Sequence, residues 1–210
     1  AETTICSALS LLREVTYYDN YFKSGEYAKS ERIFNFDRPT AQLRGKRWGI
    51  IGMGNIGREV ARLAEVFGCE VAYYSTSGVE RNEEYNKLSL NELLNSSNVI
   101  SIHCPLNERT QNLISAEELA MMKKSAILIN VARGGIVNEA ALAEALNSGN
   151  LRGAALDVFT TEPLRESPLY NLKDPYRLLA SPHNAWSSVE AIDRLIACIA
   201  GNIQEYITKK

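Results

Sequence analysis

WGIIGMGNIG, residues 48–57, runs an apolar strand directly into G-x-G-x-x-G, and a helix follows. Ile50 and Ile51 suit a buried parallel strand, and Arg58 to Phe67 reads as the helix. Gly52 permits a tight turn, Gly54 lets backbone approach a pyrophosphate, and Gly57 lets the helix lie close against the strand. The helix start offers N–H groups and partial positive charge to phosphate oxygens. Val60, Leu63, Ala64 and Phe67 are spaced to face a sheet, and Gly68 stops the helix. Glycines at this spacing also occur in ordinary strand-turn-helix units. The units that follow make a dinucleotide the better reading.

Outward from that turn, Glu70 to Tyr74 is a second strand, and the aperiodic polar run from Ser75 to Lys87 reads as a loop. Ser89-Leu-Asn-Glu92 has capping-box spacing before the strand Val99 to His103. Ser115-Ala-Glu-Glu118 repeats it before a helix ending near Lys123, and Ala126 to Asn130 is again a buried strand. Asn138 caps the helix Glu139 to Asn147, Gly149 suits its exit, and Gly153 to Leu156 is short and apolar. Strands separated by helices of about ten residues imply right-handed crossovers and a parallel sheet covered on both faces. The fold class is therefore α/β, a doubly wound, Rossmann-type parallel sheet. Ile5 to Phe22 and a closing helix, capped at Ser187-Ser-Val-Glu190 and running towards Tyr206, stand outside the rhythm and read as connectors, at about 1–25 and 188–210. The start at Ala1 and the end on a helix read as a chain excised from something longer.

Bulk properties narrow the partners. With 210 residues and 45% hydrophobic composition the chain can bury a substantial core. Lys plus Arg number 23 against 25 Asp plus Glu, which leaves no basic field for nucleic acid. No apolar run approaches the roughly 18–20 residues a bilayer span needs, and no basic-then-apolar leader opens the chain. Cys6, Cys69, Cys104 and Cys198 are far apart, with no C-x-x-C pair and only two histidines, so no metal site is expected. Reduced, mostly buried cysteines in a cytoplasmic protein fit this usage, with Cys104 the one candidate reactive thiol.

Polar residues stand just beyond several strand ends, where doubly wound sheets place ligands: His103 in HCPL, Arg133 in NVARGG, Asp157 in ALDVF, Glu162 in TTEP and His183 in SPHNAW. Two histidines, both at such places, focus the search for an acid-base group. Taken singly, Arg133 fits a surface ion pair, Glu162 a solvated carboxylate and His183 a turn residue.

Taken together, the AETT…LLREV helix, GMGNIG, HCPL, NVARGG, ALDVF, TTEP, SPHNAW and the closing helix resemble the cofactor-binding domain of the D-isomer-specific 2-hydroxyacid dehydrogenases. The resemblance covers essentially the whole chain, so 1–210 is read as one NAD(P)-binding domain. It implies hydride transfer between a nicotinamide and C2 of a small 2-hydroxy or 2-keto acid. Arg133 would fork onto the substrate carboxylate and carbonyl, a bidentate task that Lys performs poorly. His183 would exchange the proton with the C2 oxygen, and Glu162 would fix its tautomer and favour its charged form. For the cofactor, the resemblance carries Gly52, Gly54, Asn55, Ile56 and Gly57 onto the pyrophosphate, and Ser75, Cys104, Pro105 and Thr110 onto the adenosine side. Val131, Ala132, Arg133, Asp157, His183 and Ala185 fall beside the nicotinamide, with Asp157 accepting from its carboxamide. His103 would line the pocket. Trp186 fits either the substrate side or ordinary packing.

One position departs from the family. The acidic residue that takes the ribose hydroxyls after the second strand is replaced by Ser75, followed by Thr76 and Ser77. A hydroxyl does not repel a 2′-phosphate, so NAD is expected first with NADP a competitor. The resemblance also implies a homodimer through the leading helix, and a substrate domain formed by segments absent from this chain. Cofactor binding with little turnover is then expected of these 210 residues. A nucleotide-sensing, corepressor-like binding protein is the rival from another class. Glu162, where the formate dehydrogenases carry Gln, argues against that branch.

Overall fold

The computed structural model describes residues 1–78 and 84–209. Arg81, the first arginine to follow Ser75 in the sequence, lies outside them. Seven strands form one sheet: β1 (Arg47–Ile51), β2 (Glu70–Tyr74), β3 (Asn86–Lys87), β4 (Val99–Ile102), β5 (Ile127–Asn130), β6 (Gly153–Leu156) and β7 (Leu178–Ala180). The order is β3-β2-β1-β4-β5-β6-β7 with every pair parallel. The chain winds outward from β1 to β3, then returns to β4 on the other side of β1. That reversal opens a crevice above the carboxyl ends of β1 and β4, where this fold takes ligands.

The buried strands alternate between two cores. Ile51, Ile100, Ile102 and Leu128 point to one face, against Leu93, Leu119, Leu142 and Leu146 from α4 (Leu90–Ser96), α5 (Ala116–Met121) and α6 (Glu139–Asn147). Trp48, Ile50, Val99, Ile127 and Ile129 point to the other, under α1 (Glu2–Arg13) and α3 (Asn55–Val66). Period two on a sheet covered on both sides requires apolar residues at successive positions, the continuous runs seen in the sequence. Each fully buried isoleucine or leucine contributes on the order of 1.5–3 kcal/mol.

Several expectations need correction. α3 begins at Asn55 rather than Arg58, and its buried face is Gly57, Val60, Ala61 and Ala64, while Phe67 is exposed. The stretch to Lys87 is not all loop, because Asn86–Lys87 pairs with β2 as an edge strand. β7, a three-residue edge strand, was not foreseen. The leading helical stretch breaks at Glu14, whose φ of 54° separates α1 from α2 (Val15–Lys23). The Glu14 carboxylate there accepts from Arg38 at 2.8 Å and Arg152 at 3.3 Å, and Arg38 also pairs with Asp174. α1 is more than a connector: it buries Ile5, Ala8, Leu11 and Leu12 against the sheet. The closing helix, α7 (Val189–Thr208), is capped by Ser188 and not Ser187, the Ser188 hydroxyl accepting from the Ala191 N–H at 3.2 Å. Only Cys69 and Cys104 are buried among the cysteines; Cys6 and Cys198 are exposed.

Candidate active site

At the end of β1 the chain turns through Gly52, whose φ of 96° a side chain would strain. A Cβ there would also lie 2.8 Å from the Cys104 nitrogen, so the turn rests directly on the His103–Cys104 backbone. A Cβ on Gly57 would come 2.4 Å from the Gly52 carbonyl, which fixes how closely α3 approaches β1. Around a Cβ built on Gly54, by contrast, no atom of the described residues outside its chain neighbours and its own helix stands within 4 Å. The turn thus leaves open space above Gly54 and the first N–H groups of a 12-residue helix facing it.

Two cavities flank this helix start. One, of about 230 Å³, is walled by Gly52, Met53, Gly54, Tyr73, Ser75, Thr76, Ser77, His103, Cys104 and Pro105. The other, of about 440 Å³, is walled by Ile56, Val131, Arg133, Asp157, His183, Ala185 and Trp186, with Thr3 and Thr4 of α1 and Leu195 of α7. Gly54 belongs to one wall and Ile56 to the other, so the start of α3 lies between the two cavities. Burial pushes the Cys104 thiol up to about 11, which removes the nucleophile considered there. Thr110 is fully buried, and its hydroxyl accepts from the Asn107 N–H at 2.8 Å and donates to the Pro105 carbonyl at 2.7 Å. It shapes the loop behind Pro105 and does not wall the cavity.

The loop after β5 carries Arg133. Asn130, the polar residue closing the apolar strand, accepts from the Ala132 N–H at 3.1 Å and donates to the Arg133 carbonyl at 2.9 Å. The Ala132 carbonyl accepts from the Arg133 guanidinium at 2.7 Å. Both Ala132 backbone groups are therefore engaged within the turn, and the exposed guanidinium faces the larger cavity.

Asp157 organises the neighbouring loop. Its carboxylate accepts from the Ser181 hydroxyl at 2.5 Å, the Asn184 N–H at 3.0 Å and the Ala185 N–H at 2.9 Å. Its carbonyl accepts from the His183 N–H at 2.8 Å. The side chain expected to receive a carboxamide thus holds residues 181–185 in place while walling the same cavity. The loop it holds puts His183 at φ 53° and aims the ring at Glu162.

His183 Nδ1 and Glu162 Oε2 are 2.7 Å apart, and Glu162 Oε1 accepts from the Phe159 N–H at 2.9 Å. The hydrogen bond from His183, then that from Phe159, holds the Glu162 carboxyl below its ordinary range, with the Arg133 charge adding to it. An anionic Glu162 makes Nδ1 the protonated nitrogen and leaves Nε2 as the ring's working atom. Arg133, Glu162 and His183, far apart in sequence, come together: Glu162 pairs with the His183 ring, and His183 and Arg133 share the wall of the 440 Å³ cleft. Trp186 also walls it, its indole N–H donating to the His183 carbonyl at 2.9 Å. Asn130, Gly134 and Ser181 were missed by sequence reasoning. Only Asn130 leaves a signal, as a lone amide closing an apolar strand.

The model of the D-isomer specific 2-hydroxyacid dehydrogenase NAD binding domain matches residues 5–185. Glycerate dehydrogenase of Methylorubrum extorquens is 37% identical over 96% of this chain and 62% of its own length. Hydroxypyruvate reductase of Blautia hydrogenotrophica is 32% identical over 97% of this chain and 63% of its own. The solved structure of D-lactate dehydrogenase from Aquifex aeolicus, complexed with NAD and lactic acid, has a TM-score of 0.86 at 26% identity, covering 99% of this chain and 66% of that one. The chain therefore spans less than two thirds of the length of these relatives. Two cavities joined by a glycine-started helix, with an arginine and a carboxylate-held histidine at the second, match what that domain must provide: the chain belongs to the D-isomer-specific 2-hydroxyacid dehydrogenases and is their NAD-binding domain.

Proposed function

We propose that the protein containing this chain reduces a small 2-keto acid to the D-2-hydroxy acid and catalyses the reverse oxidation, with hydroxypyruvate and glycerate as the substrate pair. The observation that carries this reading is the 2.7 Å Glu162–His183 pair, whose histidine walls the same cleft as Arg133. Nicotinamide, when bound, supplies the hydride for reduction and accepts it in oxidation. Arg133 binds the substrate carboxylate through its planar fork and draws on the carbonyl oxygen. His183 delivers a proton from Nε2 to the C2 oxygen in reduction and removes it in oxidation. Glu162 holds the ring in register and stabilises its charged form. The names of the glycerate dehydrogenase and hydroxypyruvate reductase relatives support the substrate pair. Rates of the intact protein on hydroxypyruvate, phosphohydroxypyruvate, pyruvate and 2-oxoglutarate test it, and a faster rate on any of the last three would reassign the substrate.

Gly52, Gly54 and the N–H groups of Asn55 and Ile56 would hold the diphosphate. Ser75, Cys104 and Pro105 would line the adenosine end, and Val131, Asp157 and Ala185 the nicotinamide end. NAD is the proposed cofactor, with NADP admitted because Ser75 carries no charge against a 2′-phosphate. Residues 1–210 act as the cofactor-binding unit, joined to a substrate-binding part through helices near 1–25 and 188–210. Trp186 gives a direct test, since tryptophan emission is expected to fall as NADH fills the 440 Å³ cleft. Trp186→Phe should remove most of that change, and unaltered emission together with no heat of binding would overturn cofactor binding. NADP binding at least tenfold tighter than NAD would reverse the cofactor order. The chain alone should turn over hydroxypyruvate barely, and robust turnover would contradict the need for a second domain.

A homodimer is also proposed, in a cytoplasmic setting consistent with four free cysteines. No described helix is long and apolar enough to cross a membrane. Since α1 packs on the sheet, the dimer surface we propose is the exposed apolar set Phe22, Tyr27, Ile33, Phe34 and Phe36. Light scattering should give about twice the chain mass, falling to one chain mass for Phe34→Asp with Phe36→Asp; a monomeric parent would refute this surface.

A further inference from the structure

The partly buried ring of His103 belongs neither to the proton-transfer pair nor to the glycine turn, and its hydrogen bonds fix its chemistry. The Trp48 indole N–H donates to the Ser101 hydroxyl oxygen at 2.9 Å, an interaction with one possible direction because indole nitrogen is only a donor. Ser101 Oγ also lies 3.0 Å from His103 Nε2. Ser101 is fully buried, and these two are its only side-chain hydrogen bonds among the described residues. If Nε2 carried the proton, Ser101 would receive two donors and its own proton would be left buried without an acceptor, a costly arrangement. The direction must therefore run Trp48 to Ser101 to His103, with the serine proton pointing at a bare Nε2. The ring proton is then on Nδ1, for which the described residues supply no partner.

His103 is part of the wall of the 230 Å³ cavity that also contains Gly52, Gly54 and Ser75. The wall is continuous with the glycine turn, which rests on the His103–Cys104 backbone. We infer that His103 is a tautomer-locked, neutral hydrogen-bond donor whose Nδ1–H binds an oxygen of the diphosphate or ribose in the adenylate half of the cofactor, with Trp48 and Ser101 as the residues that set the lock. The inference rests on the dinucleotide reading of the cleft. It adds a side-chain donor to a binding surface otherwise made of backbone N–H groups and hydroxyls. Burial also lowers the pKa of His103 to about 3, so the ring stays neutral at physiological pH and the lock is not broken by protonation.

The test uses ¹⁵N-histidine-labelled protein, where two histidines make assignment simple: His183→Asn removes one set of signals. The His103 proton is expected on Nδ1 in the free protein. Adding ADP-ribose should shift Nδ1, while nicotinamide mononucleotide should leave it in place. A proton on Nε2, or an Nδ1 signal indifferent to ADP-ribose, would overturn the assignment. Substitution supplies a second readout. His103→Asn keeps an N–H donor near the Nδ1 position, whereas His103→Gln places its amide near Nε2. NADH affinity should stay within about threefold for Asn and fall roughly tenfold or more for Gln, the range of one hydrogen bond to a charged or strongly polar oxygen. Equal affinity in both variants would refute the donor role. If His103→Gln does not fold, the tautomer and the ADP-ribose shift still decide. Absence of NADH binding by the parent chain would instead defeat the dinucleotide reading itself, a distinguishable failure.

Discussion

Gly134→Ala is expected to lower both stability and turnover severely, because the added Cβ would sit 1.8 Å from the Phe159 carbonyl oxygen and 2.7 Å from the Thr160 nitrogen. Both obstacles are backbone, so no rotamer change relieves them. Reaching even 3.0 Å requires a shift of more than 1 Å between the two loops. One loop carries Arg133. The other supplies the Phe159 N–H that holds Glu162, and its Thr160 N–H donates to Glu139 at 2.7 Å on α6. Separating them pulls the guanidinium away from the imidazole–carboxylate pair. Overpacking of this kind costs about 2–3 kcal/mol, which lowers the melting midpoint by roughly 5–10 °C in a domain of this size. In the intact enzyme, a displacement of about 1 Å at the reacting groups costs on the order of 100-fold in kcat/KM. Gly201→Ala is the matched control, since it lies within α7 with nothing within 4 Å and should be neutral or slightly stabilising. Unchanged melting and turnover in Gly134→Ala would show that the two loops do not set the site.

The contrast between these glycines explains how the sequence could be read and where it could not. Strands β1, β2, β4, β5 and β6 were legible because burial on both faces forces uninterrupted apolar runs, and few other structures tolerate them. β3 and β7 were not. A two- or three-residue edge strand gains its pairing from the neighbour already in place, so Asn86–Lys87 carries no apolar signature and Leu178–Ala180 is too short to show one. The capping boxes at Ser89 and Ser115 were legible because Glu three residues on reaches back to the serine N–H, at 2.9 and 3.0 Å. At the closing helix the same pattern misled by one residue: Ser187 donates to the Asn184 carbonyl at 2.8 Å and Ser188 makes the cap. The site shows the same division. Positions beyond strand ends drew attention to Arg133, Asp157 and His183, but sequence spacing does not report what an oxygen is bonded to. The loop-holding hydrogen bonds of Asp157 and Thr110 therefore left no trace in the sequence, although Asp157 also walls the cleft as expected of a cofactor contact. Gly134 gave no sign because the obstacle it avoids is 25 residues further along the chain, at Phe159.

The largest catalytic effects are expected at the Glu162–His183 pair, and its two members should fail differently. His183→Gln removes the proton donor, and general acid-base groups contribute about 100- to 10,000-fold, so reduction should fall by that factor with NADH affinity unchanged. Glu162→Gln keeps an acceptor for the Nδ1 proton and removes only the charge. The carboxyl pKa of Glu162 is depressed in the folded protein. Whatever stability the pair contributes is thus fully present above the ordinary glutamate value of about 4.3, and is lost as pH falls through the lower folded value. Between pH 5 and 9, roughly, Glu162 therefore stays anionic. Reduction needs the imidazolium. Glu162→Gln takes away the charge that faces the imidazolium, so reduction should fall, though less than in His183→Gln because both side chains are partly exposed to solvent. Oxidation needs the neutral ring, so it should fall less than reduction in the same variant. An equal fall in both directions at every pH would mean that Glu162 acts by geometry alone, and a profile identical to the parent's would remove it from the reaction.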